Sequence, residues 1–104
     1  MMLTVVETPI FLRMVQGVMG DEELDDFKCF IAENPETGDV IPGLGDLRKV
    51  RWKRPGMGKR GGARVIYFNR LACGQVVLVA VYAKAKFDNL PAAVLKMWKE
   101  AYET

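Results

Sequence analysis

The side chains of this sequence best suited to chemistry are lysines and arginines crowded into its second half. Residues 48–87 contain eleven Lys or Arg and no Asp or Glu, whereas residues 1–47 contain two basic and ten acidic side chains. Cations without intervening carboxylates repel one another unless an anionic partner neutralises them. The distribution therefore predicts an anionic polymer as ligand, which the net charge of +2 conceals. The alternative is a solvated surface whose charge is left uncompensated.

Several kinds of catalysis are excluded by composition. The 104 residues include no histidine and no serine, which removes the Ser-His-Asp triad, the Cys-His pair and imidazole acid-base chemistry. Cys29 and Cys73 lie far apart without zinc-ligand or redox spacing, and we expect both to be small buried hydrophobic residues. Neither a metal site nor a cofactor is expected, and the length predicts a single domain over residues 1–104.

A glycine-rich segment at residues 56–61 matches the GxGxxG pattern. A dinucleotide site needs a helix after the glycines, and here a β-branched, strand-like segment follows. The segment is bracketed by Lys53-Arg54 and contains Lys59-Arg60. We interpret it as a mobile cationic loop that wraps a polyanion backbone, or more simply as a flexible hairpin loop.

The elements that position these residues follow from periodicity and caps. The pattern predicts, in chain order, a strand at 3–7, a helix from Pro9 capped by Thr8, a helix from Asp21 to Asn34, an irregular loop at 35–46, strands at 47–53, 63–69 and 75–82, and a helix from about Pro91. This order, β-α-α-β-β-β-α, favours an α+β fold with a small, mainly antiparallel sheet and helices on one face. The acidic residues 21–26 are expected to form the solvated side of the second helix. The N-terminal segment lacks signal-peptide features, so a cytoplasmic location is expected.

Alternation along the strand at 47–53 separates its side chains by face. Val50 and Trp52 point to the expected core side, and Lys49 and Arg51 project together from the opposite side, about 7 Å apart. Tyr67 and Tyr82 lie within the cationic stretch, where they either stack on unpaired bases or fill the core.

Two long segments resemble a known family. Residues 43–68 (GLGDLRKVRWKRPGMGKRGGARVIYF) and 77–90 (VLVAVYAKAKFDNL) are similar to the RelE/HigB family of bacterial type II toxins, particularly its HigB-like branch. The resemblance implies a RelE-like fold and a ribosome-dependent endoribonuclease that cuts mRNA in the decoding site without a metal. It also implies a cognate HigA-like helix-turn-helix antitoxin that holds the toxin inactive.

The resemblance assigns roles to individual residues. The implied catalytic set is Lys49, Arg51, Arg64, Tyr82 and Lys84. The remaining expected RNA-binding residues are Arg48, Lys53, Arg54, Lys59, Arg60, Tyr67 and Lys86. Arginine is not deprotonated in proteins, so Arg51 can stabilise charge but cannot be a base. Lys49, Lys84 and Tyr82 stay open as base or acid. Some members have a C-terminal tyrosine that stacks on the substrate. Here Tyr102 lies on the apolar stripe of the last predicted helix, a position that favours a core role instead.

The resemblance leaves a second function open. A non-catalytic module that binds ribosomal or other RNA and blocks translation by occupancy would need the same cationic surface. Mapping of mRNA ends separates the two functions.

Overall fold

The computed structural model describes residues 2–53, 62–83 and 91–103, with side chains as far as residue 100. Its centre is a five-stranded sheet made of β1 (Thr4–Glu7), β2 (Asp39–Val40), β3 (Arg48–Trp52), β4 (Ala63–Arg70) and β5 (Gln75–Ala83). The strand order is β1-β5-β4-β3-β2. Only the β1–β5 pair among these strands is parallel, so the prediction of a mainly antiparallel α+β fold is confirmed.

Three α-helices accompany the sheet. They are α1 (Pro9–Met14), which continues as a 3-10 turn at Val15–Gly17, α2 (Asp21–Glu33) and α3 (Ala92–Glu103). Thr8 caps α1 as predicted, because its Oγ1 accepts a hydrogen bond from the Phe11 N–H at 3.2 Å. None of the described helices has both the length and the apolar character needed to cross a membrane.

One core lies between the sheet and the first two helices. Phe11 of α1 and Phe27 and Ile31 of α2 are fully buried against Val65 of β4 and Leu78 of β5. Apolar residues spaced four apart on α2 lie on one face of the helix, and that face covers the sheet. The acidic side chains of α2 are mostly left on the outside.

A second core lies on the opposite face of the sheet. Leu95 of α3 packs there with Leu47, Ile66 and Phe68, and Trp98 of α3 lies against the same cluster. Successive residues of a strand point to opposite faces, which is why Val65 belongs to the first core and Ile66 to the second. The expectation that all helices cover one face is therefore wrong, since α3 covers part of the other.

Three local expectations also need correction. The loop predicted at 35–46 contains the short strand β2, which pairs with β3. Cys29 and Cys73 are exposed; Cys29 lies two residues after the buried Phe27, about 200° around the helix. Glu23 is buried at 7% exposure rather than solvated, because it lies four residues before Phe27 on the packed face of α2.

Candidate nucleic-acid interface

Three side chains of the predicted site form a row across the sheet. The register pairs Arg51 of β3 with Arg64 of β4, and Arg64 with Tyr82 of β5. Directly opposite residues share a face, with their β-carbons about 5 Å apart. Lys49 lies on the same face in the next row, opposite Ile66. The fold thus brings together four of the five predicted catalytic positions, and Lys84 lies outside the described residues.

The members of the row differ in exposure. Arg51 is exposed and Lys49 is half-buried, whereas Arg64 is 8% exposed and Tyr82 is 2% exposed. Tyr82 packs in the second core, beside the part of the sheet that α3 covers. A ring with so little exposed surface offers no platform for a base, so Tyr82 is left with its hydroxyl as its chemical group. The row therefore consists of an exposed arginine, Arg51, next to a buried arginine, Arg64, and the buried phenol of Tyr82.

The electrostatics of the row follow from that burial. Burial raises the pKa of Tyr82 above its ordinary value, and the neighbouring positive charge of Arg64 offsets part of the increase. Tyr82 therefore stays protonated at neutral pH and is a hydrogen-bond or proton donor there, not a base. Two guanidinium groups held on adjacent strands create a local positive potential that attracts phosphate oxygens.

The end of β3 is anchored on the other face of the sheet. The indole Nε1 of Trp52 donates a hydrogen bond to Oε2 of the buried Glu23 at 3.2 Å. The Trp52 ring also contacts Phe27 and Phe30, with centroid separations of 5.3 and 5.5 Å. These contacts hold the end of β3 against α2. Sequence reasoning missed the role of Glu23, although its spacing from Phe27 could have indicated burial.

The backbone geometry just before β4 requires a glycine. Gly62 has a φ of +68°, a conformation that favours glycine. A β-carbon at this position would overlap the carbonyl oxygen of Trp52. The backbones at Trp52 and Gly62 therefore lie close together, next to Arg51 and Arg64 in the sequence. A residue with a side chain is excluded at position 62.

The remaining basic residues that sequence analysis assigned to RNA binding are placed differently. Arg48 lies on the same face as Val50, and its guanidinium donates to the carbonyl oxygens of Gly38 at 2.7 Å and Glu36 at 3.3 Å. Lys53 is exposed just after β3. The other predicted RNA contacts that are basic, Arg54, Lys59, Arg60 and Lys86, lie outside the described residues.

Tyr67 has a structural place. It is 0% exposed, and its hydroxyl accepts a hydrogen bond from the Gly38 N–H at 2.9 Å and donates one to the Pro35 carbonyl at 2.9 Å. Burial raises the pKa of Tyr67 above its ordinary value, with the hydrogen bond from Gly38 acting in the opposite direction. A ring with no exposed surface cannot stack on a base, so its predicted RNA contact is replaced by a role in holding the 35–38 segment on the sheet.

Comparison with known proteins gives a structural match. No family model matches the sequence. A solved structure of the E. coli toxin RelE, a double arginine-to-alanine mutant in the free state, matches with a TM-score of 0.65 and 15% sequence identity. The match covers 95% of this chain and 98% of that chain. Since the likeness extends over nearly all of both molecules, the chain has the fold of the toxin RelE.

Proposed function

We propose that this protein is the toxin of a type II toxin-antitoxin system, of the HigB-like kind, and acts in the cytoplasm as a ribosome-dependent endoribonuclease. Its substrate is mRNA, its reaction needs no metal, and its inhibitor is a HigA-like helix-turn-helix antitoxin. The observation that carries the proposal is the row of Arg51, Arg64 and Tyr82 on one sheet face. The fold shared with RelE and the absence of acidic residues from 48–87 support it.

The proposed reaction uses the 2′-hydroxyl of one nucleotide as the nucleophile. Its oxygen bonds to the adjacent phosphorus while the bond from phosphorus to the 5′-oxygen breaks. The proton of the 2′-hydroxyl passes to a neutral lysine amine, and a proton is delivered to the leaving 5′-oxygen. Lys49 or Lys84 is the proposed acceptor of the first proton, since a lysine amine can serve as a general base. Tyr82, which is protonated at neutral pH, can donate the second.

Arg51 and Arg64 have the electrostatic part of this mechanism. Negative charge accumulates on the phosphate oxygens in the transition state, and fixed cationic donors stabilise it. One such donor contributes about 3 kcal/mol in other enzymes, which corresponds to a loss of about 100-fold in rate when it is removed. Arg64 is held by burial, so little reorganisation is needed when the charge develops.

The proposal is tested by induced expression and RNA mapping. Wild-type protein should arrest growth and create new mRNA 5′ ends inside codons. Arg64→Ala and Lys84→Ala should abolish both effects while the purified variants keep the wild-type circular dichroism spectrum. Arg70→Ala is the matched control, since it removes the same charge from the opposite end of β4 and should leave arrest intact. Undiminished arrest by the Arg64 variant would contradict the site.

A second function is favoured by the burial of Tyr82, which is only 2% exposed and therefore has limited access to a leaving group. In that case the protein binds ribosomal or other RNA through its arginines and blocks translation by occupancy. Translation would then stop without new mRNA ends. The same mapping experiment therefore decides between cleavage and occlusion.

A further inference from the structure

A groove lies beside Tyr82, on the side of β5 that faces away from Arg64. Its volume is about 340 Å³, which is at the lower end of the range for small-ligand sites. Residues 81–83 of β5 line one side, and Arg13, Met14, Gly17 and Val18 line the other. These four residues belong to α1, its 3-10 turn and the residue that follows it.

The groove exists because β1 ends before β5 does. Their parallel pairing stops at Glu7 and Leu78, after which the chain turns into α1 and the last five residues of β5 continue without β1. Met14 packs against both core clusters, which places it at the edge of the sheet and not over one face. The groove therefore lies at the edge of the sheet, next to the end that carries Arg51, Arg64 and Tyr82.

Arg13 gives the groove a positive charge. It is one of two basic residues among the first 47. The other, Lys28, is paired with Glu7 at 3.2 Å and with Asp25 at 4.0 Å. Arg13 is exposed, and it has no ion pair with any residue in the described parts of the chain. A guanidinium with no ion pair among the described residues, beside an apolar wall of Met14 and Val18, suits a phosphate and a base of single-stranded RNA.

We propose that this groove binds the nucleotide that neighbours the one held by Arg51 and Arg64, with Arg13 contacting its phosphate and Met14 and Val18 contacting its base. The inference rests on the proposed function and extends its binding track by one position. Tyr82 belongs to both sites, so the track crosses β3, β4 and β5 and ends at α1.

Two kinds of variant test the groove. Arg13→Ala removes the charge and Arg13→Lys keeps it. Gly17→Gln fills the groove, because a β-carbon at Gly17 has nothing within 4 Å and its backbone φ is not in the left-handed region. Gly20→Gln is the matched control, since Gly20 is equally open and does not line the groove.

The measurements are binding of a labelled 2′-O-methyl oligoribonucleotide, which lacks the nucleophile, and cleavage of mRNA on programmed ribosomes. We expect R13A to weaken oligonucleotide binding about tenfold and to lower the slope of log affinity against log salt by about 1. R13K should bind the oligonucleotide with at least half of the wild-type affinity, because it keeps the positive charge. If Arg13 had only a structural role, this recovery would not be expected. G17Q should reduce cleavage about as much as R13A, whereas G20Q should cleave at the wild-type rate.

The outcomes separate this inference from the proposed function. Wild-type binding and cleavage by both R13A and G17Q would overturn the groove assignment and leave the proposed function standing. The groove assignment would also be overturned if R13A and G17Q bound RNA normally but were no longer inhibited by a partner protein. The groove would then be a protein-docking site. If the wild-type protein neither binds nor cleaves RNA, the proposed function is refuted, and the groove assignment, which depends on it, is refuted with it.

Discussion

Replacing Arg51 with glutamine should change stability and activity in opposite directions. The positive charge of Arg51 is expected to lower the stability of the fold and to contribute to the proposed RNA cleavage. Arg51 lies directly opposite Arg64, which is 8% exposed. Like charges at directly opposite positions destabilise a sheet. Glutamine keeps part of the aliphatic stem of arginine and removes its charge, so the packing of β3 changes little. We therefore expect the variant to be more stable and less active.

The size of the stability gain follows from the geometry. For an assumed separation of about 7 Å between the two guanidinium groups and an effective dielectric constant of about 60, the repulsion is about 0.8 kcal/mol. Screening over a Debye length of about 10 Å at 0.1 M salt reduces it to about 0.4 kcal/mol. We expect R51Q to raise the free energy of unfolding by that amount at 0.1 M salt, with the gain nearly absent at about 1 M. Loss of one charged hydrogen bond to phosphate should lower cleavage about 10- to 100-fold.

Urea unfolding followed by tryptophan fluorescence measures the first effect, and cleavage on programmed ribosomes measures the second. The control is R70Q on β4. The guanidinium of Arg70 lies 5.8 Å from the centroid of the Phe68 ring, so removing that charge loses a favourable contact. R70Q should therefore lower stability and leave cleavage unchanged. A less stable R51Q, or a gain independent of salt, would refute the electrostatic reasoning; full cleavage activity would remove Arg51 from the site.

Three further predictions concern the scaffold. Tyr67→Phe should lower the free energy of unfolding by about 1–3 kcal/mol at pH 7, because the Gly38 N–H loses its partner and the Pro35 carbonyl keeps only the hydrogen bond from Asn69. Burial raises the pKa of Tyr67 above 10.0, so above about pH 10 the folded wild type keeps a proton that the unfolded chain releases, and the wild type loses stability. The difference in stability between the wild type and Tyr67→Phe should therefore narrow above about pH 10. A difference that stays constant with pH would contradict this. Gly62→Ala should cost more than about 1 kcal/mol in thermal unfolding, because of its positive φ and its overlap with Trp52. Glu23→Ala should lower stability by about 1–3 kcal/mol by leaving the indole N–H of Trp52 unpaired, whereas exposed Glu22→Ala should change it by less than about 0.5 kcal/mol.

Local features of the fold could be predicted from the sequence because they depend on near neighbours along the chain. Alternation along residues 47–53 separated Lys49 and Arg51 from Val50 and Trp52, and the structure has the same division. Thr8 was expected to cap α1 because its hydroxyl needs only the first helical turn as partner. The bounds of the strands and helices that were predicted agree with the structure to within one or two residues, whereas β2 was expected to be loop.

Features set by contacts between distant segments could not be predicted. The pairing of Arg64 with both Arg51 and Tyr82 depends on the registers of two strand pairs, and a register irregularity after Ile66 changes which residues of β5 face α3. Tyr67 is a core residue because Gly38 and Pro35, about thirty residues earlier, meet its hydroxyl. An alternation pattern specifies two faces of a strand but does not say which helix will cover each one.

At the end of β3, the two faces of the sheet carry interactions of opposite sign: charge repulsion on one face and the contacts of Trp52 on the other. On one face, Arg51 and Arg64 repel each other by less than about 1 kcal/mol. On the other, Trp52 makes two aromatic contacts, each worth about 0.5–1.5 kcal/mol, and a hydrogen bond to Glu23. The contacts of Trp52 thus offset the repulsion at the same end of β3. If phosphate binds at this site as proposed, it meets an Arg64 guanidinium that burial already restrains, so little of the free energy of binding is spent on ordering that side chain.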